Sequence, residues 1–194
     1  MAKLYFKYGA MGCSKTAQAL ITKFNYEERN MSVMFMKPAI DTRDGLTVAR
    51  SRIGLEAEAI TVASDINLYD LYTDQYRDRN VIIVDECQFL TPEQVDQLGD
   101  IVIDFRVPVL CFGLATDFLT HLFPGSQRLF EIAESITEIK SICRCGAKAT
   151  VNARFDDQGN VVFQGEQVCL GGNDRYMAMC RKCWLKHKKA QEAK

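Results

Sequence analysis

The sequence predicts an α/β fold, a parallel sheet with helices on both faces, followed by a small second domain at the C-terminal end. Three observations carry that expectation. Short continuous apolar runs alternate with stretches of helical periodicity, the pattern of strands joined by crossover helices. The runs are apolar throughout rather than at every second residue, as strands buried on both faces require. The composition then shifts near Ile142, after which five of the eight cysteines fall. With 194 residues, 47% of them hydrophobic, the chain can bury one good core and a small appendage, and disorder is not expected.

In chain order, strands are expected at Leu4 to Tyr8, Val33 to Met36, Val81 to Val84 and Pro108 to Phe112, each an apolar run bounded by turn residues. A helix from Lys15 to Glu28 would bury Leu20, Ile21 and Phe24, and another from Ile66 to Arg77 would bury Tyr69, Tyr72 and Tyr76. The clearest helix start is "TPEQ". Thr91 is the N-cap, Pro92 takes the first helical position and Gln94 closes a capping box, with Val95, Leu98, Val102 and Phe105 turned inward. Beyond Ile142, the β-like pieces "ATVNARF" and "VVF" flank the turn "DDQGN". The expected domains are therefore 1–141 and 142–194.

Lys plus Arg number 24 against 25 Asp plus Glu, so no dominant field points to nucleic acid or an anionic membrane as the main partner. The basic end "KHKKAQEAK" reads as the solvated end of a last helix. The chain enters a strand without a secretory leader pattern, and no apolar stretch approaches the roughly 20 residues of a membrane span. The expectation is a cytoplasmic protein whose thiols stay reduced, so that cysteine spacing matters more than cysteine number.

The first strand leads directly into "GAMGCSKT", Gly9 to Thr16. It follows the phosphate-cradling pattern GxxxxGK[ST], except that Ser14 stands where glycine is expected. A loop between a strand and a helix aims backbone N–H groups at an anion, and the helix N-terminus adds its positive end. Lys15 would reach the β- and γ-phosphates and the Thr16 hydroxyl would ligate Mg²⁺. Against this stands an ordinary strand-to-helix turn. Two readings of Ser14 are open: its Cβ crowds a backbone that must hug phosphates, or it sits in an ordinary α-region where serine costs little.

The run "VIIVDECQF" places Asp85 and Glu86 at the carboxyl end of a buried strand, where ligands bind in open α/β sheets. Asp85 suits a metal-holding Walker-B role, and Glu86 beside it could accept the proton of an attacking hydroxyl or water. The loop and this acidic pair together predict a P-loop NTPase-like sheet. Asp41, Arg43, Arg50 and Arg52 follow the second strand, and Arg43 and Arg52 are candidates to clamp a transferring phosphoryl group, with solvated surface charge as the alternative.

Cys143 with Cys145, and Cys180 with Cys183, form two close pairs separated by a long insert. In a reducing compartment that spacing predicts a closed, structural Zn²⁺ site with four thiolates, a redox dithiol or free thiols being the alternatives. The metal would tie the insert into a loop. Gly171 and Gly172 there allow close backbone approach to a ligand, and Tyr176 is a candidate for stacking or hydroxyl contact, unless the segment is a plain hairpin tip.

Taken together, "YGAMGCSKT", "KPAIDTR", "SRIG", "VDECQFL", "PVLCFGL" with "TDF", "LFPGS", "CRCG", "GEQVCLGGNDRYM" and "CRKC" resemble the thymidine kinase family, in its zinc-containing class, over nearly the whole chain. The resemblance implies transfer of the ATP γ-phosphoryl group to the 5′-hydroxyl of thymidine, with Glu86 as base. Gly9, Ala10, Met11, Gly12, Cys13, Ser14, Lys15 and Thr16, with Asp85, Glu86, Cys87 and Gln88, match the family's nucleotide and metal contacts. It implies a lasso-like loop, Glu166 to Tyr176, gripping the base through Val168, Leu170, Gly171, Gly172 and Tyr176. Apolar walls from Met11, Phe89, Leu114 and Phe118 would surround that base. Homotetramers and inhibition by the end-product triphosphate are further implications. The alternatives are another P-loop ATPase, a deoxynucleoside kinase of different base specificity, and a zinc-ribbon binding module.

Overall fold

The computed structural model describes residues 1–42, 45–167 and 175–192. The chain runs β1 (Leu4–Tyr8), α1 (Lys15–Glu27), β2 (Val33–Pro38), β3 (Val48–Arg50), β4 (Glu56–Glu58), β5 (Ile60–Val62), α2 (Leu68–Gln75) and β6 (Val81–Val84). A 3₁₀ turn (Cys87–Phe89) leads to α3 (Pro92–Phe105), β7 (Val109–Gly113), α4 (Pro124–Ile132) and β8 (Ser135–Glu138). The C-terminal part holds β9 (Ser141–Ile142), β10 (Lys148–Ala149), β11 (Val151–Arg154), β12 (Tyr176–Met179) and α5 (Arg181–Glu192).

Six strands form one sheet in the order β5-β2-β6-β7-β1-β8, with every pairing parallel. The side-chain period of two sends alternate residues to opposite faces. Ile82 and Val84 of β6, with Val109 and Cys111 of β7, pack under α2, α3 and α4 beside Tyr72, Leu98 and Leu129. Val81, Ile83, Leu110 and Phe112 face the other way, onto Ala19 and Leu20 of α1 and onto Ala49 beside it. The four residues of β6 are all 0% exposed, which is why that strand reads as an uninterrupted apolar run.

Helix α3 begins as its sequence requires. Thr91 Oγ1 accepts from the Gln94 amide at 3.1 Å and Gln94 Oε1 accepts from the Thr91 amide at 3.2 Å. Gln94 Nε2 also donates to Ala63 O and Ile66 O, so the cap residue fastens the connection between β5 and α2 as well. Helix α1 departs from expectation. Leu20 is buried, but Ile21 is 46% and Phe24 57% exposed, because small residues, Ala17 and Ala19, take the positions nearest the sheet and bring the helix in close.

The C-terminal part has its own apolar cluster, in which Val151, Ala153, Val161, Met179 and Trp184 pack together. Strand β11 pairs antiparallel with β12, and the expected turn at "DDQGN" is closed by a single bridge, Phe155 to Val161. Among the described residues, no helix is long and apolar enough to cross a membrane.

Candidate active site

The loop from Gly9 to Ser14 emerges from the carboxyl end of β1 and enters α1. Gly9 is required by space, since a Cβ there would lie 2.3 Å from Ile139 O. Gly12 has φ +74°, and Ser14, the N-cap of α1, has φ 64° and ψ 31°. Ser14 therefore occupies the left-handed region that favours glycine, and the ordinary α-region reading is overturned. Its side chain is exposed and makes no capping hydrogen bond. Lys15 curls back over the loop, donating to Gly9 O at 3.2 Å and Ala10 O at 3.0 Å and reaching Cys13 Sγ at 3.6 Å.

The parallel order β6-β7-β1 brings Asp85, at the carboxyl end of β6, to the same edge of the sheet as this loop, and the Asp85 amide donates to Met36 O of β2 at 3.0 Å. The Thr16 hydroxyl lies beside the Asp85 carboxyl and favours its charged form, which brings the helix start against the acidic pair. Burial, and then the charge of Glu86, push the Asp85 carboxyl up to about 7. The Asp85 carboxyl and the Thr16 hydroxyl, gathered at a buried strand end, are hard oxygen donors of the kind that suit Mg²⁺.

Glu86 is also in the left-handed region, with φ 51° and ψ 37°, where it caps the 3₁₀ turn. Strain of this kind persists where surrounding contacts over-determine it. Here Gln88, 1% exposed, donates from Nε2 to Glu86 Oε2 at 2.5 Å and accepts the Leu114 amide on Oε1 at 2.9 Å. Ser126 Oγ holds the other side of Leu114 through its carbonyl at 2.6 Å. Gln88 is thus a support for Glu86 and for the wall at Leu114. Cys87 is 0% exposed and faces the core, where burial and a hydrogen bond with Cys111 push its thiol up.

These groups share one cleft of 280 Å³, whose lining brings together Met11, Lys15, Thr16, Arg52, Asp85, Glu86 and Leu114. Arg52 lies across from the loop, with Nη1 3.6 Å from where a Cβ on Gly12 would sit. Arg50 also lines it, its Nε paired with Glu56 at 2.8 Å. Phe89, Phe118 and Tyr176 are not part of this lining. Phe89 packs edge-on to Phe123, Phe118 is 1% exposed beneath the Arg154 guanidinium, and Tyr176 is half-buried at the start of β12. Arg43, Val168, Leu170, Gly171 and Gly172 lie outside the described residues.

Cys143, Cys145, Cys180 and Cys183 meet with all four sulfurs within 4.8 Å of one another, and Cys145 Sγ lies 3.6 Å from Cys180 Sγ. Zn–S bonds of about 2.3 Å in a tetrahedron place sulfurs about 3.8 Å apart, so the cluster fits zinc. Backbone N–H groups of Cys145 and Cys180 lower the Cys143 thiol to about 6 and the Cys183 backbone lowers Cys180, whereas hydrogen bonds with Cys145 and Cys180 push the Cys183 thiol up to about 12, so the four share protons that a metal would displace.

A family model described as thymidine kinase matches residues 2–184. The chain belongs to the thymidine kinase family. Among relatives bearing the name thymidine kinase, one from Vibrio vulnificus (strain YJ016) is 46% identical over 183 residues, which cover 93% of this chain and 95% of that one. One from Enterobacteria phage T4 is 45% identical over 186 residues, 95% and 96% of the two chains. One from Zymomonas mobilis is 44% identical over 187 residues, 95% and 97%.

Within this family member, two polar residues near the cleft escaped the sequence reading. Lys37, at the end of β2, is 0% exposed and donates to Gly45 O and Val48 O at 2.8 Å each, with Asp41 at 3.5 Å. A lysine inside the buried run "VMFMKP" was the available signal. Asn152, in β11, is 3% exposed and reaches the phosphate loop. Its signal was the alternation of polar and apolar residues in "VNAR".

Proposed function

We infer that the chain is a thymidine kinase, transferring the γ-phosphoryl group of ATP to the 5′-hydroxyl of thymidine. The observation that supports this most is the meeting in one cleft of Lys15 on its loop, the Thr16–Asp85 contact and Glu86. Phosphoryl transfer needs little covalent help from a protein; it needs anion binding, charge neutralisation and an oriented nucleophile. The loop amides and Lys15 hold the phosphates. Thr16 and Asp85 would hold Mg²⁺, which supplies Lewis-acid neutralisation of phosphate charge when bound. Arg52, facing the loop, adds a fixed positive charge over the transferring group, and Arg43 is the second candidate for that role. Glu86 accepts the proton of the sugar hydroxyl at the carboxylate that Gln88 holds in place.

Met11 and Leu114 give the cleft its apolar wall. The segment Glu166 to Tyr176, carrying Val168, Leu170, Gly171 and Gly172, would close over the base, with Phe89, Phe118 and Tyr176 behind the cleft wall rather than on it. Residues 1–141 then carry the nucleotide site, and residues 142–194 form a flap domain anchored by Zn²⁺ on the four cysteines. A cytoplasmic homotetramer fits this reading, and the exposed Ile21 and Phe24 on α1 give self-association an apolar face. Light scattering reads the assembly, and a monomer at micromolar concentration would remove that part.

Labelled ATP offered with each deoxynucleoside in turn tests the activity. Label should pass to thymidine, with little ATP consumed when no nucleoside is present. ATP hydrolysis at one rate with or without thymidine would make the chain an ATPase, and preferential labelling of another nucleoside would overturn the base assignment.

A further inference from the structure

Strand β11 has two unlike faces. Val151 and Ala153 point into the apolar cluster of the cysteine-bearing domain, whereas the alternate residues Asn152 and Arg154 point to the rest of the molecule. Asn152 is 3% exposed. Its Oδ1 accepts the Met11 amide of the phosphate loop at 2.8 Å, and its Nδ2 donates to Thr116 O, after β7, at 2.8 Å. Both ends of the amide are used, each in its proper donor or acceptor sense. Arg154 lays its guanidinium 3.6 Å from the centre of the Phe118 ring and donates to Gln164 O at 3.2 Å and Glu166 O at 3.0 Å. Gly165 lets it lie there, since a Cβ at that φ of +122° would meet Arg154 Nη2 at 2.7 Å.

The route from the cysteine cluster to Asn152 is short. Cys180 follows Met179, whose partner across the β11–β12 pair is Val151, the neighbour of Asn152. The Thr150 amide also donates to Met179 O at 3.0 Å. Fixing Cys180 at the cluster therefore fixes the strand from which Asn152 reaches an amide 141 residues earlier in the chain.

We propose that Asn152 is a positioning residue that couples the zinc-binding domain to the phosphate loop, so that metal on the cysteines and nucleotide on the loop each strengthen the other's binding. The inference rests on the reading that the loop takes nucleotide and the four cysteines take zinc. A buried amide that orders Met11 holds one side of the loop in shape before the nucleotide arrives, and ordering done in advance raises affinity. Coupling of this kind is reciprocal, because a nucleotide favouring the ordered loop must equally favour the zinc-bound state of the domain that orders it.

The test uses the zinc-loaded full chain, as wild type, Asn152→Ala and Asn152→Leu, the last keeping bulk without hydrogen bonds. Zinc content is measured first, then Mg·ADP affinity by calorimetry, then the rate of zinc transfer to a chromogenic chelator with and without saturating Mg·ADP. Wild type should lose zinc about fivefold more slowly with Mg·ADP present. Both variants should retain a full complement of zinc, bind Mg·ADP about tenfold more weakly, and show less than a twofold effect of saturating Mg·ADP on zinc release. A residue that merely stabilised the fold would lower the melting temperature and leave that protection in place. Undiminished protection in a folded variant overturns the proposal, and so does a wild-type release rate indifferent to bound Mg·ADP, which decides the matter even if neither variant folds. Failure of wild type to bind Mg·ADP at all would instead strike the kinase reading on which the coupling depends.

Discussion

Replacing Ser14 by glycine should make the protein more stable and leave catalysis nearly unchanged. Ser14 stands at φ 64°, ψ 31°, is exposed, and makes no side-chain hydrogen bond at the start of α1, so its removal sacrifices no capping bond. The left-handed conformation costs an L-residue roughly 1–2 kcal/mol, which glycine escapes. Glycine loses more chain entropy on folding, about 0.4–1 kcal/mol, which offsets part of the gain. A net stabilisation of about 0.5–1 kcal/mol remains, corresponding in a chain of this size to a rise of about 1–4 °C in Tm. Calorimetric or fluorescence melts of wild type, Ser14→Gly and Ser14→Ala measure it. Alanine keeps the same backbone penalty, so its Tm should stay within about 2 °C of wild type. The loop already holds the strained conformation, so kcat/KM for ATP should rise less than about tenfold. A fall in Tm for the glycine variant would mean that serine supports the loop in some way its exposure conceals. A gain above about 100-fold in kcat/KM, roughly 2.7 kcal/mol, exceeds the strain available and would refute the account.

Three other perturbations have defined outcomes. Glu86→Gln should keep Mg·ADP affinity within about threefold and lower kcat by about 10²–10⁴; an unchanged kcat would remove Glu86 from the base role. Asp85 holds its proton up to about 7 in the fold, against about 3.9 in the unfolded chain, so stability from this group falls as pH rises between those values. Asp85→Asn should therefore melt higher than wild type at pH 8 without Mg²⁺, with the gap narrowing to about a third at pH 5 and closing near pH 4, while Mg·ATP turnover is lost; a gap independent of pH would contradict the assigned cause. Lys37→Met should destabilise by about 3 kcal/mol in a denaturant titration, because it strips a buried cation from Asp41 and from the carbonyls of Gly45 and Val48. A change under about 1 kcal/mol would show that the segment after β2 is held by other contacts.

Much of the sheet was legible in the sequence because its signals are local. The β6 run is apolar at every position since both faces are covered, the capping box of α3 is written in four successive residues, and the cysteine spacing follows from how a short turn presents two thiolates to one metal. The same locality made "GAMGCSKT" and "VIIVDECQF" readable as a phosphate loop and an acidic strand end. On α1 the local signal misled. Ile21 and Phe24 satisfy helical periodicity, yet alanines decide how closely the helix approaches the sheet, and approach distance is not encoded in period.

By itself, then, the order of residues determined which segments become strands and helices, which loop can cradle an anion and which thiols can share a metal, since each depends on neighbours a few positions apart. Only the folded chain decided that Ser14 lies in the left-handed region, that Gln88 braces Glu86, that Lys37 is sealed beneath the segment carrying Asp41, and that Asn152 hydrogen-bonds Met11. Those facts arise from backbone geometry imposed by packing, and from buried polar groups compelled to find partners wherever the topology brings them.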